Sequence, residues 1–157
     1  MAVQFEDEYF MRIAIAEAQS AKERDEVPIG ACITDGDQMI IAAAGNRTIG
    51  DTDPTAHAEV LVLREAAKKV NNYRLTQCVL YTTIEPCVMC AGALVNARIK
   101  RLVYGAPDKR FGAVKTQFSL CNNSSLNHQI EITSGILEDD CRKLMQDFFR
   151  VKRLDLN

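Results

Sequence analysis

Residues 78–97 read Cys-Val-Leu-Tyr-Thr-Thr-Ile-Glu-Pro-Cys-Val-Met-Cys-Ala-Gly-Ala-Leu-Val-Asn-Ala, and this stretch decides the fold. Cys78 to Thr83 is short and mostly apolar, which predicts a strand. Glu85-Pro86 breaks that run, and the residues after it predict a helix to about Ala97. Arg101 to Gly105 then supplies another strand. Upstream, Val27 to Thr34 and Gln38 to Ala44 are strand-like runs parted by Asp35-Gly36-Asp37, the pattern of a hairpin. Phe10, Ile13, Ala14, Ala18 and Ala21 recur at helical spacing, so roughly residues 6–24 should form an amphipathic first helix. Val60, Leu63, Ala67 and Val70 mark a second helix, expected to start near Asp53-Pro54 or Thr55 with a side-chain cap. Downstream, Ile130 to Thr133 is a last strand. Leu137, Cys141, Leu144, Met145, Phe148 and Phe149 form the apolar stripe of a terminal helix. Between Gly105 and Ile130 the pattern is weak, and loop with at most one short helix is expected. Strands alternating with helices after a hairpin imply an α/β protein, a three-layer α/β/α sandwich around a mixed five-stranded sheet.

The chain has 157 residues, 47% of them hydrophobic and 25% charged, ordinary for one globular domain spanning 1–157. Its longest run of apolar residues and glycine is the nine from Cys87 to Val95, far short of the ~20 needed to cross a membrane. The first residues, Met-Ala-Val-Gln-Phe-Glu-Asp-Glu, are acidic where a secretory signal would be basic. A cytoplasmic protein with no membrane partner and six reduced cysteines is expected. The net charge of −2 hides an asymmetry: residues 1–97 hold 8 basic and 14 acidic side chains, residues 98–157 hold 11 and 7. A basic C-terminal portion points to a polyanionic partner, although an unevenly charged solvated surface has the same signature. Arg98, Lys100, Arg101, Lys109, Arg110 and Lys115 form one basic cluster. Arg142, Lys143, Arg150, Lys152 and Arg153 form another.

Two short motifs carry chemistry. Cys87 and Cys90 lie three apart, so in a first helical turn both sulfurs share one face, and a helix N-terminus stabilises thiolates. His57, from the start of the preceding helix, adds a neutral nitrogen. Three such ligands leave a tetrahedral zinc one open position, the pattern of catalytic zinc, whereas structural zinc usually takes four. Glu59 is then the natural proton carrier. His57 and Glu59 are two apart, which is not a same-face spacing, so both reach one metal only if the helix aims its N-terminal end at it. Two other readings stay open: a thioredoxin-like redox pair, or a structural zinc with Cys78, Cys121 or Cys141 as fourth ligand.

His-x-Glu followed by Pro-Cys-x-x-Cys resembles the signature of the zinc-dependent nucleobase deaminases. The resemblance is closest to their bacterial tRNA-specific adenosine deaminase branch and covers roughly residues 6–153. It is carried by Val27-Pro28-Ile29-Gly30-Ala31, Gly45-Asn46-Arg47, Asp53-Pro54-Thr55-Ala56-His57-Ala58-Glu59 and Asn72-Tyr73-Arg74-Leu75. Further matches are Glu85 through Ala93, Tyr104-Gly105-Ala106-Pro107-Asp108, Leu126-Asn127-His128 and Phe148-Phe149-Arg150. Thr48 stands where that branch commonly has proline, and Cys121 to Ser125 is an unusual polar loop.

The resemblance implies a cytidine-deaminase-like fold and hydrolytic deamination of adenosine to inosine at the wobble position of a tRNA anticodon stem-loop. It makes His57, Cys87 and Cys90 the ligands of one Zn2+ per subunit and Glu59 the catalytic acid/base. It places Asn46 against the target nucleoside, Asp108 near the ribose and flanking nucleotide, and Phe149, Arg150 and Arg153 along the RNA. It also implies a homodimer. A deaminase of a free base or nucleoside, such as guanine or cytidine, is the alternative, but it has no need of a basic RNA platform.

Overall fold

The computed structural model describes residues 2–156. The chain runs α1 (Ala2–Glu23), β1 (Gly30–Thr34), β2 (Ile40–Gly45), α2 (Ala58–Val70), β3 (Val79–Ile84), α3 (Val88–Asn96), β4 (Arg101–Ala106), β5 (Glu131–Ser134) and α4 (Glu138–Asp155). The five strands form one sheet in the order β2-β1-β3-β4-β5. β1 is antiparallel to β2 and β3, while β3, β4 and β5 are parallel. The mixed sheet follows from the connections: a short turn reverses the chain between β1 and β2, whereas a helix returns it in the same sense between β3 and β4.

Alternation along the strands sends side chains to two cores. Ala31, Ile33, Leu80, Leu102 and Tyr104 pack with Val62, Leu63, Ala66, Ala91 and Leu94 of α2 and α3. Cys32, Tyr81 and Val103 pack on the other face with Phe10, Met11 and Ala14 of α1 and Cys141 of α4. This is the expected sandwich. α1 comes unusually close to the sheet, because Ala14, Ala18 and Ala21 are fully buried and meet glycines. Gly30 and Gly45 are cross-strand partners. A Cβ on Gly30 would come 2.5 Å from the backbone nitrogen of Ala18, and one on Gly45 2.5 Å from the carbonyl of Glu17. α1 is pinned at its other end by Asp7, whose buried carboxylate accepts two hydrogen bonds from Arg101, at 2.9 and 2.6 Å.

Several boundaries differ from those expected. α1 begins four residues earlier, at Ala2. β1 begins at Gly30 rather than Val27, and β2 at Ile40 rather than Gln38. Asp35 is the reason at the hairpin: its carboxylate accepts from the N–H groups of Asp37 and Met39, which widens the turn. α2 starts at Ala58, and neither Asp53 nor Thr55 caps it. Asp53 instead closes its own turn, accepting from the N–H and hydroxyl of Thr55. Residues 107–130 hold neither helix nor strand, as the weak pattern implied. Among the described residues, no helix is long and apolar enough to cross a membrane. All six cysteines are free.

Candidate metal centre and its pocket

The site lies beyond the carboxyl ends of β3 and β4, where α2 and α3 both begin. His57 occupies the position just before α2 and Cys87 the position just before α3, both with extended backbone and no side-chain capping bond. α2 therefore aims its N-terminal end at the site, as the two-residue spacing of His57 and Glu59 required. Its first N–H is capped from a distance: the Asn46 side-chain oxygen accepts from Ala58 N–H at 2.8 Å. That bond positions His57 and leaves the Asn46 side-chain NH2 as its group for a ligand.

His57 Nδ1 lies 3.6 Å from Cys87 Sγ and 3.5 Å from Cys90 Sγ. The ligand atoms of these three residues all fall within 4.8 Å of one another, so they could hold a metal ion. None of Cys78, Cys121 or Cys141 joins them. Hydrogen bonds from the Cys90 thiol and His57 outweigh burial and pull Cys87 down to about 4. Cys90, bonded to Cys87 and buried, is pushed up, and the Cys87 contact raises His57. The three groups are thus coupled through their direct contacts, and a dication bound among them would displace the protons they hold. Glu59 is buried, and burial raises its pKa. Its Oε1 is the one buried side-chain oxygen or nitrogen among the described residues with no hydrogen-bond partner. An orphaned acceptor of this kind, facing a pocket, is what a proton carrier awaiting substrate looks like.

The pocket has a volume of about 620 Å³, the size of a small-molecule site. Asn46, His57, Glu59, Cys87, Asp108, Phe149 and Arg153 all line it, so seven of the nine expected residues meet in one cavity. Cys90 is fully buried and is not among the lining residues. Arg150 is not among the lining residues; its guanidinium pairs with Asp147 at 3.2 Å. The basic clusters also come apart. Arg98, Lys100 and Arg101 sit at the amino end of β4, opposite the site, and Arg101 is spent on Asp7. Arg142 pairs with Glu138 and Asp139, and Lys152 with Asp25. Arg110 and Arg153 are the cations that reach the pocket.

Sequence reasoning passed over several wall residues. Val27, Ile29, Ile84, Phe111 and Met145 make the pocket largely apolar; they lie on four separate segments with no shared period. Two buried acids also went unassigned. Glu26 accepts from Thr48 Oγ1, Ile49 N–H and Gly50 N–H at 3.3, 3.0 and 2.8 Å, shaping the loop after Asn46. Thr48, in the place of the proline, supplies one of these donors. Burial pushes Glu26 up, but the Gly50, Ile49 and Thr48 donors prevail and hold it below 4.5. Its contribution to stability is therefore complete above that value and is lost as pH falls through the lowered folded value. The melting-temperature deficit of Glu26→Gln should be largest near neutrality and shrink as pH falls below the ordinary carboxylate range; a deficit that stays constant would show that the charge is irrelevant. Glu85 is held in the same way: burial raises it, and donors from Thr116, Lys115 and Asp108 bring it below its usual value.

Comparison with known proteins agrees with this geometry. The MafB19-like deaminase family model matches residues 5–153. A tRNA-specific adenosine deaminase of Haemophilus influenzae is 44% identical over 147 residues, 94% of this chain and 85% of that protein. One from Agrobacterium fabrum is 46% identical over 147 residues, covering 94% and 96%. A structure from studies of A-to-I editing by tRNA:A34 deaminases at the wobble position superposes with a TM-score of 0.84 at 44% identity, covering 87% of this chain and 98% of that one. A guanine deaminase from Nitrosomonas europaea superposes at 0.78 with 26% identity, covering 90% and 83%. With the His-Cys-Cys group, the orphaned glutamate and relatives matching over most of both chains, the chain belongs to the MafB19-like deaminases and, among them, to the tRNA-specific adenosine deaminases.

Proposed function

We propose that the protein is a zinc-dependent hydrolase that converts adenosine to inosine at the wobble position of a tRNA anticodon stem-loop. The observation that carries the reading is Glu59 Oε1, buried, unpartnered and in the same pocket as His57 and Cys87. His57, Cys87 and Cys90 would hold the metal. A tetrahedral zinc with Zn–S of ~2.3 Å and Zn–N of ~2.0–2.1 Å separates its nitrogen and sulfur ligands by about 3.6 Å. The distances of 3.6 and 3.5 Å match that spacing. When bound, zinc supplies a water whose pKa is lowered to about 7.

The protein's own groups do the rest. Glu59 accepts a proton from the attacking water and gives it to N1 of the purine as the bond from water oxygen to C6 forms. It then takes the remaining proton of the new C6 hydroxyl and delivers it to the exocyclic nitrogen, and the C6–N bond breaks to release ammonia. Water and adenosine become inosine and ammonia, with Glu59 returned to its starting state. The Asn46 amide donates to the nucleoside, and the walls formed by Ile29, Ile84, Met145 and Phe149 exclude bulk water from the base. The base must leave its stack to enter, a step costing only a few kcal/mol in an exposed loop. Six free cysteines support a reducing compartment, and a cytoplasmic enzyme is part of this reading. It is a homodimer in this reading.

The deciding experiment is inosine formation on an anticodon stem-loop with adenosine at the wobble position, beside free adenosine, cytidine and guanine. Inosine in the stem-loop alone is the expected result; turnover of a free base with the stem-loop untouched would overturn the substrate. The structure also separates two arginines. Arg153→Glu should weaken stem-loop binding, more strongly at low salt than at high, because it removes an unshielded cation at the pocket. Arg150→Glu should weaken binding less, since Asp147 already neutralises Arg150. Equal losses in a filter-binding salt titration would contradict that assignment.

A further inference from the structure

Glu85 has no role in the chemistry above, yet it is among the most heavily bonded side chains in the protein. It is 3% exposed. Its Oε1 accepts from Asp108 N–H at 3.1 Å and Thr116 Oγ1 at 2.5 Å. Its Oε2 accepts from the N–H groups of Val114, Lys115 and Thr116 at 3.1, 2.9 and 3.0 Å. These five donors fill both oxygens, so Glu85 has no capacity left to serve as a second acid/base. Gly112 lies flat against the carboxylate: a Cβ there would come 2.5 Å from Oε1.

All five donors come from one segment, and that segment has no helix or strand to give it shape. It is wound by Gly112 N–H to Asp108 O at 3.0 Å and tied to the loop before α3 by Ala113 N–H to Pro86 O at 2.8 Å. It carries Asp108, Arg110 and Phe111 into the pocket wall. The Asp108 carboxylate is itself turned by the N–H groups of Arg110 and Phe111. Buried backbone N–H groups need acceptors, and in a segment without regular structure a single carboxylate provides four of them. Glu85 also stands two residues before Cys87, so the element that shapes the wall is continuous with the one that supplies the thiols.

We propose that Glu85 is a positioning residue: its enclosed carboxylate is the template on which residues 108–116 wind, and it thereby sets how Asp108, Arg110 and Phe111 grip the target nucleotide. The inference rests on the reading of the pocket as a nucleotide site. Its structural half is tested without any substrate. In Glu85→Gln the side-chain NH2 faces N–H groups that it cannot accept from. Hydrogen exchange at the amides of Asp108, Val114, Lys115 and Thr116 should then quicken about tenfold to a hundredfold, the cost of losing charge-assisted bonds. Exchange at Leu80, Tyr81 and Thr82 should stay as in the wild type.

On whichever substrate the wild type turns over, KM should rise while kcat and bound zinc stay close to wild-type values. Unchanged exchange at the four amides would overturn the proposal, as would a fall in kcat with KM unmoved. If Glu85→Gln does not fold, Thr116→Val removes one donor and should give the same local signature at smaller amplitude; its absence would be equally decisive. A wild type that ignores the stem-loop would defeat the functional reading and leave the exchange result to stand or fall by itself.

Discussion

Glu59→Gln is expected to lower deamination by about 10²–10⁴-fold, the usual worth of a positioned acid/base. Zinc content and stem-loop affinity should be unchanged. The glutamine fills the same volume but cannot carry a proton. Glu59 stands outside the His57–Cys87–Cys90 group, so the metal keeps its ligands. The contrast is Cys87→Ser, which removes a ligand and should lose metal and activity together. Zinc measured by emission spectroscopy and inosine measured by nuclease digestion and chromatography separate the two. Metal loss in Glu59→Gln as deep as in Cys87→Ser would mean that the glutamate is a ligand, and the mechanism would have to be rebuilt.

The largest effect on folding should come from Gly30. Gly30→Ala should cost about 3 kcal/mol or more, at the upper end of overpacking penalties, because the obstruction is backbone. The new Cβ would overlap the Ala14 carbonyl and lie 2.5 Å from Ala18 nitrogen. A rotamer change cannot relieve that; α1 would have to lift away from β1 and β2, opening the core around Phe10, Met11 and Ala14. Gly92 is the control. It lies within α3 and a Cβ there meets nothing within 4 Å, so Gly92→Ala should gain about 0.5–1 kcal/mol from helix propensity. Urea unfolding midpoints measure both, and a Gly30→Ala midpoint equal to the wild type would remove the close approach of α1 from the account of this fold.

What was legible in the sequence was what repeats locally. Phe10, Ala14, Ala18 and Ala21 announce α1, and the apolar stripe from Leu137 to Phe149 announces α4. The three-residue spacing of Cys87 and Cys90, joined to His57 and Glu59, marks the metal centre. What escaped depends on partners distant along the chain. α2 seemed to begin near Asp53 because Asp, Pro and Thr are cap residues; its first N–H is instead satisfied by Asn46, twelve positions back. The basic residues of the C-terminal portion read as two clusters facing a polyanionic partner, but Asp7 and Asp25, over ninety residues from Arg101 and Lys152, neutralise one residue of each. Glu85 was read as part of a motif, while its five donors lie 23 to 31 residues downstream in a segment with no periodicity to signal them.

The placement of α4 has a consequence for synthesis on the ribosome. His57, Glu59, Cys87 and Cys90 have all been translated by residue 90, whereas Met145, Phe149 and Arg153 of the pocket wall come from the last helix. Glu59 and the His57–Cys87–Cys90 group therefore leave the exit tunnel well before the pocket wall is complete. A nascent chain halted before residue 138 would lack Met145, Phe149 and Arg153, and with them one wall of the pocket, as well as Cys141, which packs in the core with α1. Translation order thus makes this wall the last part of the pocket that the polypeptide acquires.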